Sequence, residues 1–368
     1  MGLYLGLMSG TSMDGIDAAL LDTATHTLID AMTVPYPDAL QNELLQFDAT
    51  QKYTLQTILT LHQKVGQAFA TAALTLLKKM GYSSEKITAI WSHGQTVYHA
   101  PELEFPTTLQ LGCAHTIAEK TGITVVSDFR TRDLILGGQG APLAPYYHYQ
   151  LIKKENLPAI VVNLGGIANI SFLKKDTPPI GYDVGPGNVL MDAWIKKHHN
   201  AAFDKNGDWA ATGKVIPVLL EALLADTFFL KSPPKSIDKA YYALDWLEPH
   251  LKKTDLPQDV QATLLYLTAV CIARAIQMFS SEEIGPVYLC GGGAHNHALR
   301  QILSRCLPEY VIKTTDDFQV SPDYLEAMMM AWLAEQALNN RALDLRQITG
   351  ASKPAILGVI YPTHCMRS

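Results

Sequence analysis

Near the amino terminus lies Ser9-Gly-Thr-Ser-Met-Asp-Gly-Ile-Asp17, a run of hydroxyls, glycines and two carboxylates. These residue types suit a polyphosphate with a divalent cation. Small residues let the backbone approach the phosphates, hydroxyls and amides donate to their oxygens, and a carboxylate can hold Mg²⁺ through water. Apolar runs at 3–8 and 16–21 flank the segment and read as strands. A turn between strands is neither a Walker loop nor a dinucleotide fingerprint, because both of those open a helix. An ordinary β-hairpin with a polar turn would show the same residues, so the segment argues for phosphate and says nothing about an acceptor.

Other polar motifs fall where apolar runs end. Residues 87–91 read as a short buried strand that delivers Ser92-His-Gly-Gln-Thr96, and 123–128 as another that runs into Phe129-Arg-Thr-Arg-Asp133. Residues 159–173 repeat the layout of the first hairpin, with Asn163-Leu-Gly-Gly-Ile-Ala-Asn169 at the turn, which suggests an internal duplication. Asp183 precedes a Gly-Pro-Gly turn and is expected at an exposed strand end, with Asn188 as the N-cap of the next helix. A strand at 287–290 ends in Gly291, Gly292 and Gly293. The periodicity of 55–79 predicts a long amphipathic helix stopped by Gly81. Strands alternating with helices, with polar motifs at strand ends, indicate an α/β protein whose ligands sit at the strand carboxyl ends. The Gly- and Pro-rich stretch 137–145 is the best domain boundary.

With 368 residues, two domains are the natural expectation. The 48% hydrophobic content with 17% charged residues describes a well-packed globular chain. A net charge of −6 argues against a nucleic-acid partner. The five cysteines have no CxxC spacing, so reduced thiols are expected, neither disulfides nor a zinc site. The first apolar run is too short for a signal peptide, and Gly6 stands where a myristoylation motif needs Ser or Thr. Residues 262–279 form the most apolar stretch, but Arg274 interrupts it and a buried helix is expected, with no membrane contact. A cytoplasmic protein is the resulting expectation.

Two phosphate-type hairpins and a strand ending in three glycines resemble the superfamily of sugar kinases, heat-shock chaperones and actin. The finer motifs are similar to the anhydro-N-acetylmuramic acid kinase family. They are Met8-Ser-Gly-Thr-Ser-Met-Asp-Gly-Ile-Asp17, Ser92-His-Gly-Gln-Thr96, Asp128-Phe-Arg130 with Asp133, Gly137-Gly-Gln-Gly-Ala-Pro-Leu143 and Asn163-Leu-Gly-Gly-Ile-Ala-Asn169. Asp183 with Gly185-Pro-Gly-Asn188, Phe203-Asp204 with Gly207, Pro233-Pro-Lys-Ser236, Cys290-Gly-Gly-Gly-Ala-His-Asn296, Glu326-Ala327 and Thr349-Gly350 complete the set in the family's order. One departure is clear: the family continues after Pro-Pro-Lys-Ser with Thr-Gly-Arg-Glu, whereas Ile237-Asp-Lys-Ala240 stands here.

The resemblance implies two ribonuclease-H-like (actin-like ATPase) domains flanking a nucleotide cleft, one of residues 1–136 plus 342–368 and one of 137–341. It implies a reaction in which water opens 1,6-anhydro-N-acetylmuramic acid and the freed O6 takes the γ-phosphoryl of ATP, in peptidoglycan recycling. By the same token Asp183 is the catalytic base. Gly10, Thr11, Ser12, Met13, Asp14, Gly15, Ile16 and Asp17 hold the triphosphate with Gly165 and Gly166, and Gly291, Gly292 and Gly293 lie beside the adenosine. Asp14 or Asp17 serves Mg²⁺, and the residues leave open which. Arg130 offers a planar fork to the lactyl carboxylate, although Arg132, two apart on a strand-like segment, would share its face. Glu326, opening a helix over 326–338, together with Gln95 and Thr96 from a loop, would bind sugar hydroxyls. A homodimer is the family expectation. A kinase for another sugar and a non-metabolic actin-like ATPase are the rival readings.

Several suggestive residues are set aside. His295 and His297 lack Cys or carboxylate partners at ligand spacing. His198 and His199 form a basic helix end, Met328-Met-Met330 suits a core, and no GxSxG elbow supports a hydrolase triad.

Overall fold

The computed structural model describes residues 2–10, 13, 15–47, 51–152, 156–237, 241–279, 285–318 and 320–363. The chain forms two compact units, residues 1–141 with 324–368 and residues 142–323. The sequence reading put 324–341 in the second domain and the first boundary at 136, so both edges are corrected here.

The first unit begins with β1 (Leu3–Met8), β2 (Gly15–Asp22) and β3 (Thr27–Pro35), followed by α1 (Asp38–Leu45) and α2 (Leu55–Met80). It continues with β4 (Ile87–Ser92), β5 (Gln95–Ala100), β6 (Thr107–Leu111), α3 (Ala114–Thr121), β7 (Val125–Ser127) and α4 (Arg130–Ile135). Alternation in β1 sends Leu5 and Leu7 into a core shared with Val65, Phe69 and Leu76 of α2. Helix α2 starts where the Thr54 hydroxyl accepts from the Thr57 N–H and ends at Gly81 in the left-handed region, φ 66°. The third strand β3 and the β5–β6 hairpin went unread, because β3 lies at the sheet edge with a mixed pattern of exposure.

The second unit contains α5 (Ala144–Leu151), β8 (Ala159–Leu164), β9 (Ile167–Leu173), β10 (Ile180–Pro186) and α6 (Val189–His199). After these come α7 (Pro217–Leu224), α8 (Leu244–Leu247), α9 (Pro257–Phe279), β11 (Val287–Cys290), α10 (His297–Cys306) and β12 (Ile312–Thr314). Helix α9 has the length and apolarity of a membrane span, but Val260, Leu264, Leu267, Ile272 and Ile276 are buried in this unit's core. The opposite face of the sheet takes α5, so close that a Cβ on Gly181 would lie 2.1 Å from Pro145.

The two sheets share one plan. In the first the order is β13 (Val359–Tyr361), then β7-β4-β1-β2-β3, and in the second β10-β9-β8-β11-β12. β1-β2-β3 and β8-β9-β10 are antiparallel meanders, while β1-β4-β7 and β8-β11-β12 are parallel. This is the ribonuclease-H-like order, present twice, as the repeated hairpin implied.

The chain then returns to the first unit through α11 (Leu325–Leu338) and β13 (Val359–Tyr361), which pairs antiparallel with β7. α11 covers the face of β1 opposite α2, where a Cβ on Gly6 would fall 1.8 Å from the Ala327 carbonyl oxygen. That contact is why 324–341 belong with the first sheet. Overpacking of this kind costs about 1–3 kcal/mol. Gly6→Ala is therefore expected to lose stability on that scale in urea unfolding, and parental stability would contradict the packing of α11 on β1.

Candidate active site

In the first unit the turn between β1 and β2 is held from beneath. The Ser9 hydroxyl, buried, lies 3.0 Å from the Gly15 carbonyl and 2.7 Å from Gln95 Oε1. Gln95 Nε2 in turn donates to the Gly10 carbonyl at 3.3 Å. Met13 sits in the left-handed region at φ 55°, with its side chain in the core and its carbonyl accepting from Gln41 at 2.9 Å. A non-glycine residue there is costly and persists only where its surroundings enforce it. Gly15, Ile16 and Asp17 belong to β2, and Asp17 Oδ1 accepts from the Thr33 hydroxyl at 2.6 Å. Thr11, Ser12 and Asp14 lie outside the described residues. Gln95 and Thr96 begin β5, so they are not in a loop, and Gln95 is fully buried and spent on the turn. Its side chain holds Ser9 and Gly10 in this structure.

Arg130 opens the short helix α4, so it and Arg132 do not share a face as strand residues would. Arg132 is exposed and donates to the Ile356 carbonyl at 2.7 Å. Arg130 points inward, its Nη1 donating to the Gly140 carbonyl at 3.1 Å and its Nη2 to His93 Nε2 at 3.0 Å. That bond and the 2.7 Å contact from Nδ1 to the Gly94 carbonyl fix His93 as the neutral Nδ1–H tautomer. Beneath the same loop, buried Asp133 accepts from the Gly140 N–H at 2.7 Å and the Thr349 hydroxyl at 2.8 Å. Burial holds its carboxyl above the ordinary range, against those two bonds and the Arg130 charge. Gln139 is pinned between the Thr349 carbonyl, 2.9 Å from its N–H, and His99 Nε2, 3.0 Å from its carbonyl. The motifs around 93, 130, 139 and 349 thus form one scaffold whose product is a fixed guanidinium. Glu326 lies in the first turn of α11, as expected.

In the second unit Asn163, Asn169 and Asp183 stand in register across β8, β9 and β10, forming a polar row. The two asparagines were read as motif residues only, and their pairing with Asp183 needed the strand register. Asp183 lies within β10 and is only 7% exposed, so the exposed strand end expected from the sequence is corrected. A register shift between Asp183 and Gly185 interrupts the β10–β9 ladder there. Such bulges re-aim side chains beside active sites. The carbonyls of Gly165 and Gly166 accept from the N–H groups of Gly187, Asn188 and Val189 at 2.8–3.2 Å, which ties the β8–β9 turn to the start of α6. Asn188 occupies the N-cap position but its side chain donates to the Leu164 carbonyl at 2.9 Å, so it does not cap the helix. Gly291 has φ 76°, and a Cβ there or on Gly293 would meet Asn163 or Leu164 within 2.7 Å. Gly292 instead faces open space.

Among the described residues no group of three or more His, Cys, Asp or Glu side chains forms a metal centre, and the four described cysteines are free. Cys365 lies outside the described residues. His295 has a carboxylate partner after all, Asp323 at 2.8 Å, in an exposed pair.

A duplicated ribonuclease-H-like sheet with a glycine-containing turn between the first two strands of each copy defines the class, a two-unit α/β protein. The family model described as anhydro-N-acetylmuramic acid kinase matches residues 2–363. The anhydro-N-acetylmuramic acid kinase of Legionella pneumophila (strain Corby) is 53% identical over 362 residues, covering 98% of this chain and 99% of the relative. That of Aliivibrio fischeri is 44% identical over 367 residues, covering 99% and 100%. The chain belongs to the anhydro-N-acetylmuramic acid kinase family, and it is an enzyme of the kinase class.

Burial, followed by the Arg130 charge, pushes His93 down to about 3, and burial alone does the same to His148. Unfolded, both titrate near pH 6.5, so from about pH 6.5 down to 3 the unfolded chain binds more protons. Stability from these groups is complete above that window and lost as pH falls through it. His93→Asn is expected to flatten the fall in unfolding free energy between about pH 6 and 4 by roughly 1 kcal/mol per pH unit. An unchanged slope would contradict a buried neutral His93.

Proposed function

We propose that this chain opens 1,6-anhydro-N-acetylmuramic acid with water and phosphorylates O6 from ATP, giving N-acetylmuramic acid 6-phosphate and ADP for peptidoglycan recycling. Family membership over residues 2–363 carries the reading. The sites are supported by the two hairpin turns, the fixed Arg130 and the buried Asp183.

In this reading Asp183 takes a proton from water as its oxygen attacks the anomeric carbon. The C1–O6 bond breaks, O6 attacks the γ-phosphorus, and ADP leaves. One base serves both events because phosphorus captures the departing O6, which then needs no acid. Arg130 binds the lactyl carboxylate with donors oriented by Gly140 and His93. Glu326 and Thr96 take sugar hydroxyls. Gly10 to Asp17 and the Gly165-Gly166 turn bind the triphosphate, and the open face of Gly292 admits the nucleoside. Phosphoryl transfer needs positioning and charge neutralisation, and Mg²⁺ supplies the latter when bound. Asp17, whose Oδ1 already serves Thr33, suits a cation that keeps most of its ligands as water and phosphate oxygen; Asp14, the other candidate, lies outside the described residues. The reading includes a cytoplasmic homodimer.

A positioned base contributes about 10²–10⁴-fold in rate. Asp183→Asn is expected to lose product formation by at least that factor while ATP binding survives, as followed by coupled ADP release and nucleotide titration. The parent enzyme should turn over the anhydro sugar and leave ordinary hexoses essentially untouched. Faster turnover of a hexose would favour the rival sugar kinase, and ADP release without any sugar would favour the actin-like ATPase.

A further inference from the structure

β10 is the edge strand of its sheet, so the outer side of Asp183 has no strand to pair with. A loop after the cis Pro233–Pro234 bond takes that place. The Lys235 carbonyl accepts from the Asp183 N–H at 3.1 Å, and the Ile237 N–H donates to Asp183 Oδ2 at 3.0 Å. One loop therefore grips both the backbone and the carboxylate of the same residue. Its own position is anchored by the Lys235 ammonium, 3.1 Å from the Phe228 carbonyl and 4.5 Å above the Phe228 ring.

We infer that the 235–237 loop is the positioning element for the Asp183 carboxylate, with the Ile237 amide holding it ionised and aimed, and Lys235 fastening the loop. This rests on Asp183 being the base. At the first position of the sequence departure, a backbone donor is indifferent to whether residue 237 is Ile or the family's usual Thr. The neighbours Asp238, Lys239 and Ala240 lie outside the described residues.

An N–H donated to a carboxylate favours its charged form. Among the described residues the groups beside Asp183 include the Lys235 ammonium and the buried Tyr242 hydroxyl, both of which the Cys271 thiol of α9 also approaches, and Asn169 stands opposite Asp183 in register on β9. Burial keeps Lys235 below its ordinary value, against the negative charge of Asp183. Burial also pushes Tyr242 up, and it pushes Cys271 up to about 12, so both stay neutral around neutral pH. The Ile237 amide is thus a donor whose loss the acid limb of the rate profile should report.

The test compares three variants with the parent, using ATP and 1,6-anhydro-N-acetylmuramic acid. Ile237→Pro removes the donor. Replacing Ile237 by its α-hydroxy acid removes it through a backbone ester with the side chain intact. Ile237→Ala keeps it. Both donor-less forms are expected to move the acid limb of the kcat/KM profile up by about one pH unit and to lower kcat about tenfold, with KM for ATP unchanged. Ile237→Ala should give the parental limb. A parental limb in the ester form overturns the inference, even if kcat falls, because a merely structural loop would lower kcat without moving the limb. If that happens while Asp183→Asn is inactive, Asp183 keeps its role and only the loop loses its own. An active Asp183→Asn overturns both.

Discussion

A carboxylate taken out of water must be given hydrogen bonds in return, and how Asp183 receives them organises the second unit. It sits within β10, 7% exposed, where an edge strand could not satisfy it unaided. The register shift before Gly185 turns the chain there, and the loop after the Pro233–Pro234 bond supplies an acceptor to its N–H and a donor to its carboxylate. Burial removes competing water and fixes direction, both of which suit the role of base proposed for it.

The first unit solves the mirror problem for a cation. Arg130 is aimed by the Gly140 carbonyl and by His93, whose imidazole burial and the neighbouring charge keep neutral. Gly140 is itself positioned by Asp133, and Asp133 by Thr349, which arrives only when the chain returns from the second unit. Residues 216 apart in sequence thereby share one buried hydrogen bond. The returning α11 crosses β1 at Gly6, leaving no room for a side chain there. Scaffold and site are thus built from the same residues.

Much of this was legible in the sequence. The hairpins at β1–β2 and β8–β9 announced themselves by apolar runs around small polar turns, and α2 by its period and its terminal glycine. Duplication was visible in layout, although the edge strand β3, with its mixed exposure, carried too weak a pattern to show the complete sheet. What escaped was whatever depends on register or on long-range return. Asp183 read as exposed because a Gly-Pro-Gly sequence signals a turn, while the loop residue that donates to its carboxylate lies 54 residues onward. Arg130 and Arg132 read as strand neighbours because β7 is only three residues long before the helix begins. The bond between Gln95 and the buried Ser9 was not legible because the two lie 86 positions apart.

The central claim is that ring opening by water and phosphorylation of O6 are one coupled event. Mass analysis of the product formed in ¹⁸O-water tests it most directly, with samples taken before the reducing end exchanges with solvent. The account predicts label at the anomeric oxygen of N-acetylmuramic acid 6-phosphate and none in its phosphate. Unlabelled sugar accompanied by labelled inorganic phosphate would mean that water attacks ATP and not the sugar, and would contradict it.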